Sequence, residues 1–213
     1  NKYLGTIGDI GILSLTETKN ITSGEGGLLL TNDANYAKRS RLVRNHGEGI
    51  ILNNLKKKDY ENIIGMNYRL TEIQAVIAIE QFSNLKKVNN LRKKNSDYLI
   101  RGLKKFNKIL IPQKIEKNTE YYPYILKFLW KGDHIIKKKI LLKKLNLIGI
   151  PFTGGYGRMM HENPIFSKLI AYKNGCPYFC SKNKKISKKY GSNTLPLSES
   201  LNMDFLWFKF IHP

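Results

Sequence analysis

Ser14-Leu15-Thr16-Glu17-Thr18-Lys19-Asn20-Ile21-Thr22-Ser23-Gly24-Glu25-Gly26-Gly27 runs between two short apolar stretches, DIGILSL at 9–15 and GLLLT at 27–31. Each stretch has the length and aliphatic content of a buried strand. Between them lies a polar, glycine-rich connection that carries Lys19 just after one strand and just before a turn sharpened by Gly24, Gly26 and Gly27. Rigid elements on both sides hold such an amine in place. A Schiff-base lysine needs that placement, together with surroundings that lower its pKa so that the neutral amine is populated. Ser14, ending the first strand, offers a hydroxyl to an oxyanion such as phosphate. On physics alone, a surface lysine in a hairpin connection is the simpler reading, because lysines occur throughout the chain. A glycine cluster is likewise more often a turn than a phosphate cradle.

Outward from this stretch, Asp33 is placed to cap a helix through Tyr36, Ala37, Leu42 and Val43. Residues 44–67 hold Gly47, Gly49, Gly65 and several Asn, and read mostly as loop. Thr71 and Gln74 then form a T-x-x-Q capping box. Ile73, Val76, Ile77, Phe82, Leu85, Val88 and Leu91, followed by Tyr98, Leu99, Leu103 and Phe106, recur at helical spacing with lysines on the far side. The stretch is long enough to expect a break near Ser83-Asn84, and it suits a connection between two domains. YYPYILKF at 121–128 predicts an extended segment, with Pro123 confined to an edge or the start. DHIIKKKILLKKLN at 133–146 predicts an amphipathic helix with Asp133 near its cap, and Leu147–Pro151 a short strand. Beyond Pro151 the sequence is rich in Gly, Pro and Tyr and weakly periodic. The alternation of strands and helices predicts an α/β class.

Composition sets the outer bounds. Of 213 residues, 41% are hydrophobic, enough for one sizeable core or two small ones. Lys and Arg number 37 against 16 Asp and Glu, giving a formal charge of +21. Such an excess suits nucleic acid, an acidic membrane or a phosphorylated ligand. Its lysines, however, are scattered over amphipathic helices, as in Lys86, Lys87, Lys93, Lys94, Lys137, Lys138, Lys139, Lys143 and Lys144, which reads as solvated helix faces. No apolar run approaches the ~20 residues of a membrane span. Cys176 and Cys180 are separated by three residues, one too many for a CxxC redox motif, and His46, His134, His161 and His212 are dispersed. No metal site is expected, and the cysteines read as thiols of a reducing cytoplasm. The N-terminal NKYLGTIGDIG has neither an initiator Met nor a signal-peptide core, and reads as the interior of a domain.

Four blocks then carry a resemblance. Gly8-Asp9-Ile10-Gly11 followed by Ser14 through Gly27 is similar to the lysine motif of the DegT/DnrJ/StrS aminotransferases. Thr31-Asn32-Asp33 resembles the family's TND, Arg44-Asn45-His46-Gly47 its RNHG, and Met66-Asn67-Tyr68-Arg69-Leu70-Thr71-Glu72-Ile73-Gln74-Ala75 its YNYR[ML]TEIQA. The blocks stand in the family's order and at similar spacing. Leu15 replaces a usual Phe and Met66 a frequent Tyr, and both swaps keep an apolar side chain.

The resemblance implies a fold-type-I enzyme dependent on pyridoxal 5'-phosphate (PLP). Residues 1–83 would close the large PLP-binding domain and residues 84–213 would form the small C-terminal α/β domain. Such enzymes are normally homodimers with active sites at the subunit interface. Lys19 would join the cofactor and, once freed, move the proton during transamination. Ser14 would hold the PLP phosphate, and Asn67 would reach the phosphate of the other subunit's cofactor. Tyr68 and Arg69, beside it, would face substrate, although Tyr68 reads equally as a packed loop aromatic. The implied reaction moves an amino group from glutamate or glutamine to a nucleotide-linked keto-sugar or a keto-cyclitol. Residues 149–156 and 161–166, Gly175-Cys176-Pro177 and Leu195-Pro196-Leu197 resemble the branch that acts on keto-cyclitols such as scyllo-inosose. The family chain starts well before residue 1, so its phosphate-cupping turn, ring-stacking aromatic and pyridine-pairing Asp are expected upstream. LWFKFIHP at the end departs from the family's final helix. A fragment, a decayed gene and a split enzyme are the three expectations that follow. PLP-dependent sugar dehydratases of related fold carry His where Lys19 stands. A basic polyanion-binding protein ranks below the enzyme, because no helix-turn-helix, zinc-finger or RNA-recognition pattern accompanies the charge.

Overall fold

The computed structural model describes residues 2–48, 63–133, 135–169, 171–172 and 190–208. Cys176, Cys180 and the Gly175–Pro177 block lie outside the described residues. Two compact units divide the chain, Asn1–Asn89 and Asn90–Pro213.

In the first unit, β1 (Gly11–Ser14) and β2 (Gly27–Leu30) pair antiparallel, with Gly11 opposite Leu30 and Ser14 opposite Gly27. Helix α1 (Ala34–Arg44) starts at the expected cap, where the Asp33 carboxylate accepts from Asn35 N at 2.7 Å and Tyr36 N at 2.9 Å. Helix α2 (Glu72–Ser83) opens on the expected capping box, with Gln74 N donating to Thr71 Oγ1 and Thr71 N to Gln74 Oε1. The helical stretch breaks where the sequence suggests. Asn84 ends α2, its Nδ2 donating to Glu80 O, and α3 (Leu85–Leu103) begins one residue later. The unit boundary falls inside α3.

In the second unit, β3 (Leu110–Pro112), β4 (Leu126–Trp130), β5 (Phe152–Gly154) and β6 (Phe205–Phe208) form one antiparallel sheet in the order β3-β4-β6-β5. Strand β4 alternates as a half-buried strand must: Leu126, Phe128 and Trp130 point into the core and Lys127 points out. With Phe152 and Leu206 they make the core, and Leu99, Ile100 and Leu103 of α3 and Leu141, Leu142 and Leu145 of α4 (Ile135–Leu147) pack on it. Phe152 meets Phe128 and Phe208 in tilted ring contacts, with centroids 5.9 and 5.3 Å apart. Helix α5 (Pro164–Ser167) and helix α6 (Pro196–Asp204) complete the unit. His161, buried in the turn Met160–Glu162 that precedes α5, meets α6 through Nε2, 2.8 Å from Glu199 Oε1.

The structure departs from the sequence reading in several places. Leu147–Pro151 is no strand: α4 runs through Leu147, and the chain reverses at Gly149, whose φ of +80° closes the helix end with Ile150 N donating to Leu145 O. The strand follows at Phe152. Of 121–128 only the last three residues join the sheet, and Pro123, buried but outside the ladder, lies upstream of the paired residues. Strand β3 is only three residues long at the sheet edge, too short for an alternation signal. The aperiodic tail holds α6 and β6, and β6 sits between β4 and β5 in the sheet, which explains its unbroken Phe-Leu-Trp-Phe run.

Candidate functional site

All five residues singled out in the sequence belong to the first unit, in two groups. The first group sits on the connection between β1 and β2. Leu15 is buried and is the hub of that loop. Its N–H donates to Gly26 O at 2.9 Å, while its carbonyl accepts from Ser23 N at 3.0 Å and Thr22 Oγ1 at 3.1 Å. Two left-handed glycines, Gly24 at φ +83° and Gly26 at φ +143°, close the return. Lys19 stands at the far side of this loop, half-buried, with its own N–H donating to Thr16 O at 3.0 Å. Asn20, next along, donates from Nδ2 to Asn89 Oδ1 at 2.8 Å, which ties the loop to the first turns of α3. Ser14 is exposed at the end of β1, its Oγ accepting from Thr16 N at 3.3 Å and lying 3.2 Å from Thr16 Oγ1.

The second group lies on the extended segment before α2. Here the RNHG turn, to which the sequence assigned no role, acts as a clamp. An antiparallel bridge pairs Asn45 with Asn67. Around it, His46 N donates to Met66 O, Met66 N to Val43 O and Tyr68 N to Arg44 O, at 3.0, 2.9 and 2.9 Å. Consecutive residues of an extended segment alternate sides. Asn67 and Arg69 therefore share one side, where Arg69 Nε donates to Asn67 Oδ1 at 3.0 Å. Tyr68 goes to the other, lining with Arg44 a groove of about 770 Å³ over Ile12, Leu28 and Leu29 of the ribbon. The structure thus separates Tyr68 from its two neighbours. His46 at φ +56° and Gly47 at φ +80° make the turn, and the glycine of the RNHG block was its one sequence signal.

Two contacts link the groups. A Cβ on Gly26 would lie 2.8 Å from Leu70 Cδ1, so the lysine loop and the second segment meet closely at this glycine. Gln74, besides closing the capping box, donates from Nε2 to Glu25 O at 3.2 Å. The donors on this unit are an amine, a hydroxyl, a carboxamide N–H₂ and a guanidinium. That set suits a phosphorylated carbonyl compound, with the amine for the carbonyl and the rest for the phosphate. Among the described residues, no group of His, Cys, Asp and Glu is placed to hold a metal ion, and no helix is long and apolar enough to cross a membrane.

The model of the DegT/DnrJ/EryC1/StrS aminotransferase family matches residues 1–202. The chain is 31% identical over 184 residues to an uncharacterized protein of Methanocaldococcus jannaschii, covering 82% of this chain and 46% of that protein. It is 33% identical over 103 residues to L-glutamine:2-deoxy-scyllo-inosose aminotransferase of Streptoalloteichus tenebrarius, covering 46% of this chain and 24% of that one. Among solved structures it resembles the GDP-4-keto-6-deoxy-D-mannose-3-dehydratase of E. coli with bound hydrated PLP. The TM-score is 0.75 at 23% identity, over 98% of this chain and 51% of that one. That likeness establishes the fold, the α/β architecture of the fold-type-I PLP-dependent transferases. The chain spans about half the length of the relatives that it matches over most of its own length. With a family model matched over nearly the whole sequence, the chain belongs to the DegT/DnrJ/EryC1/StrS aminotransferase family.

Proposed function

We propose that this chain is part of a PLP-dependent transaminase that moves an amino group from glutamate or glutamine to a nucleotide-linked keto-sugar or a keto-cyclitol. The observation that carries the reading is the lysine loop, a half-buried amine on a hairpin connection fixed at Leu15, Gly26 and Asn20. The names of the relatives support both substrate classes, one acting on a cyclitol with glutamine, the other on a GDP-linked keto-sugar. When bound, PLP supplies the electron sink that makes proton removal from the amino-bearing carbon feasible. Lys19 would hold the cofactor through its Nζ and, when its amine is free, would accept and return the proton of the amino-bearing carbon. Ser14 donates to the phosphate. Asn67 would donate to the phosphate of the cofactor in a second copy, with Arg69 beside it, while Tyr68, on the other side of the segment, would face substrate from the groove. A homodimer in the cytoplasm is part of this reading. The dimer part is supported by α2, which has no buried residue and exposes Ile73, Val76, Ile79 and Phe82. Lys19 itself favours transamination over the dehydratase chemistry of relatives that carry His at this position.

The test is to incubate the chain with PLP, reduce with borohydride and map the modified residue by mass spectrometry. Modification confined to Lys19, and lost in Lys19→Ala, supports the reading. Labelling spread over many of the lysines overturns it for this chain and raises the polyanion-binding alternative.

A further inference from the structure

Arg69 and Asn67 lie two residues apart on one side of the bridged segment. Arg69 Nε is 3.0 Å from Asn67 Oδ1, and Arg69 N is 3.4 Å from the same oxygen. A guanidinium offers only donors, so the atom facing it must be the carboxamide oxygen. That contact decides the orientation of an amide whose two ends are otherwise nearly interchangeable in shape. With Oδ1 held, the Nδ2 group and its two N–H bonds are turned away from Arg69. The backbone beneath is fixed on both sides of Asn67, by Met66 N to Val43 O and Tyr68 N to Arg44 O. Only the side-chain torsions of Asn67 remain soft, and Arg69 fixes them.

We propose that Arg69 is a positioning residue for Asn67: it locks the carboxamide so that Nδ2 donates to an anionic oxygen. The inference rests on the reading that Asn67 serves the cofactor phosphate, and it moves Arg69 from substrate contact to orientation of that donor. Without the guanidinium only the longer Arg69 N–H bond, at 3.4 Å, favours that orientation, and the amide samples the other more often. The wrong one turns a carbonyl oxygen toward the anion, which repels it.

The experiment compares PLP with pyridoxal, which has the aldehyde and no phosphate. Dissociation constants of both are measured by fluorescence for the full chain, Asn67→Ala, Arg69→Lys and the double variant, with a thermal melt of each. Lysine keeps the charge but puts a methylene where Nε stood. Asn67→Ala is expected to weaken PLP and leave pyridoxal unchanged. Arg69→Lys is expected to weaken PLP roughly three- to tenfold, the effect of losing one charge-assisted orienting bond, with an unchanged melt and unchanged pyridoxal binding. The double variant should be no weaker than Asn67→Ala, because no carboxamide is left to orient. Wild-type PLP affinity in Arg69→Lys overturns the inference and spares the phosphate reading. So does a further loss when Arg69→Lys is added to Asn67→Ala, since the guanidinium would then touch the anion itself. Equal affinity of the wild-type chain for PLP and pyridoxal, or no change of their ratio in Asn67→Ala, overturns the phosphate reading and this inference together.

Discussion

Gly47 N donates to Leu42 O at 2.8 Å, and this bond brings the chain around the end of α1 so that Asn45 can meet Asn67. The turn needs two successive left-handed residues, His46 and Gly47. At Gly47 a side chain has no room, since a Cβ there would fall 1.6 Å from Ile63 O. Gly47→Ala therefore forces two backbones apart and adds the left-handed penalty, together about 2–4 kcal/mol. Urea denaturation should show that loss. PLP trapping at Lys19 is the sharper readout for the site, because the clamp holds Asn67. A variant as stable as wild type would show that the turn is not the clamp described here.

The lysine loop offers a paired test of space against conformation. Gly24 and Gly26 both have positive φ, yet a Cβ on Gly24 meets nothing within 4 Å, while one on Gly26 meets Leu70 Cδ1 at 2.8 Å and Ser23 Oγ at 3.1 Å. Gly24→Ala should cost about 1–2 kcal/mol through conformation alone and leave borohydride trapping on Lys19 intact. Gly26→Ala must also displace the Leu70 side chain or the loop, and trapping at Lys19 should slow, by as much as about a hundredfold for a misplacement near 1 Å. Equal trapping rates in the two variants would refute a positional role for the Gly26–Leu70 contact.

Thr71 and Gln74 divide the work at the start of α2. Thr71→Ala removes the acceptor for Gln74 N and should cost about 1 kcal/mol, with recovery in Thr71→Ser. Gln74→Ala removes three bonds, from Thr71 N and Thr71 Oγ1 and to Glu25 O. Thermal melts should fall in both variants, but only Gln74→Ala should slow Lys19 trapping. Identical trapping in the two would mean that the Glu25 contact does not hold the lysine loop.

Local chemistry was the part of this fold that could be read in advance. The Asp33 cap, the Thr71–Gln74 box and the break at Asn84 each depend on a few adjacent residues, so short-range physics determined them. The two strands were legible for the same reason, as apolar runs around a polar loop, but their burial was not borne out: Ile12, Leu13, Leu28 and Leu29 are exposed on the two-stranded ribbon, which has no covering layer among the described residues. What escaped depends on partners distant in sequence. Strand β6 is a strand because β4, nearly eighty residues earlier, offers it a ladder, with Phe128 opposite Leu206. The helix end at Gly149 was misread because Leu147-Ile148-Gly149-Ile150 is apolar enough for either structure, and one positive φ decided it. At the site, Lys19 and Ser14 were singled out from one contiguous motif. The separation of Tyr68 from Asn67 and Arg69 was not, because it follows from a bridge to Asn45 that no spacing rule reveals.

The Glu199 carboxylate supplies a test in the second unit, set by pH. It accepts from Asn193 N at 2.8 Å and Leu195 N at 3.1 Å, and it faces His161 Nε2 at 2.8 Å. The Asn193 backbone bond, then the His161 hydrogen bond, hold its pKa below the ordinary glutamate value, and partial burial opposes them without prevailing. A carboxyl with a depressed folded-state pKa contributes stability that is fully present above the unfolded value, about 4.3. That contribution is lost as pH falls through the lower folded value. At pH 7, Glu199→Gln should therefore be less stable than wild type, because it loses the charge that favours all three donors. As pH drops below about 4, the two proteins should converge, since the wild-type carboxyl becomes neutral as well. Chemical denaturation at pH 7, 5, 4 and 3 measures the gap. A difference that stays constant across that range would mean that shape and packing, not the charge on Glu199, hold α6 to the His161 turn.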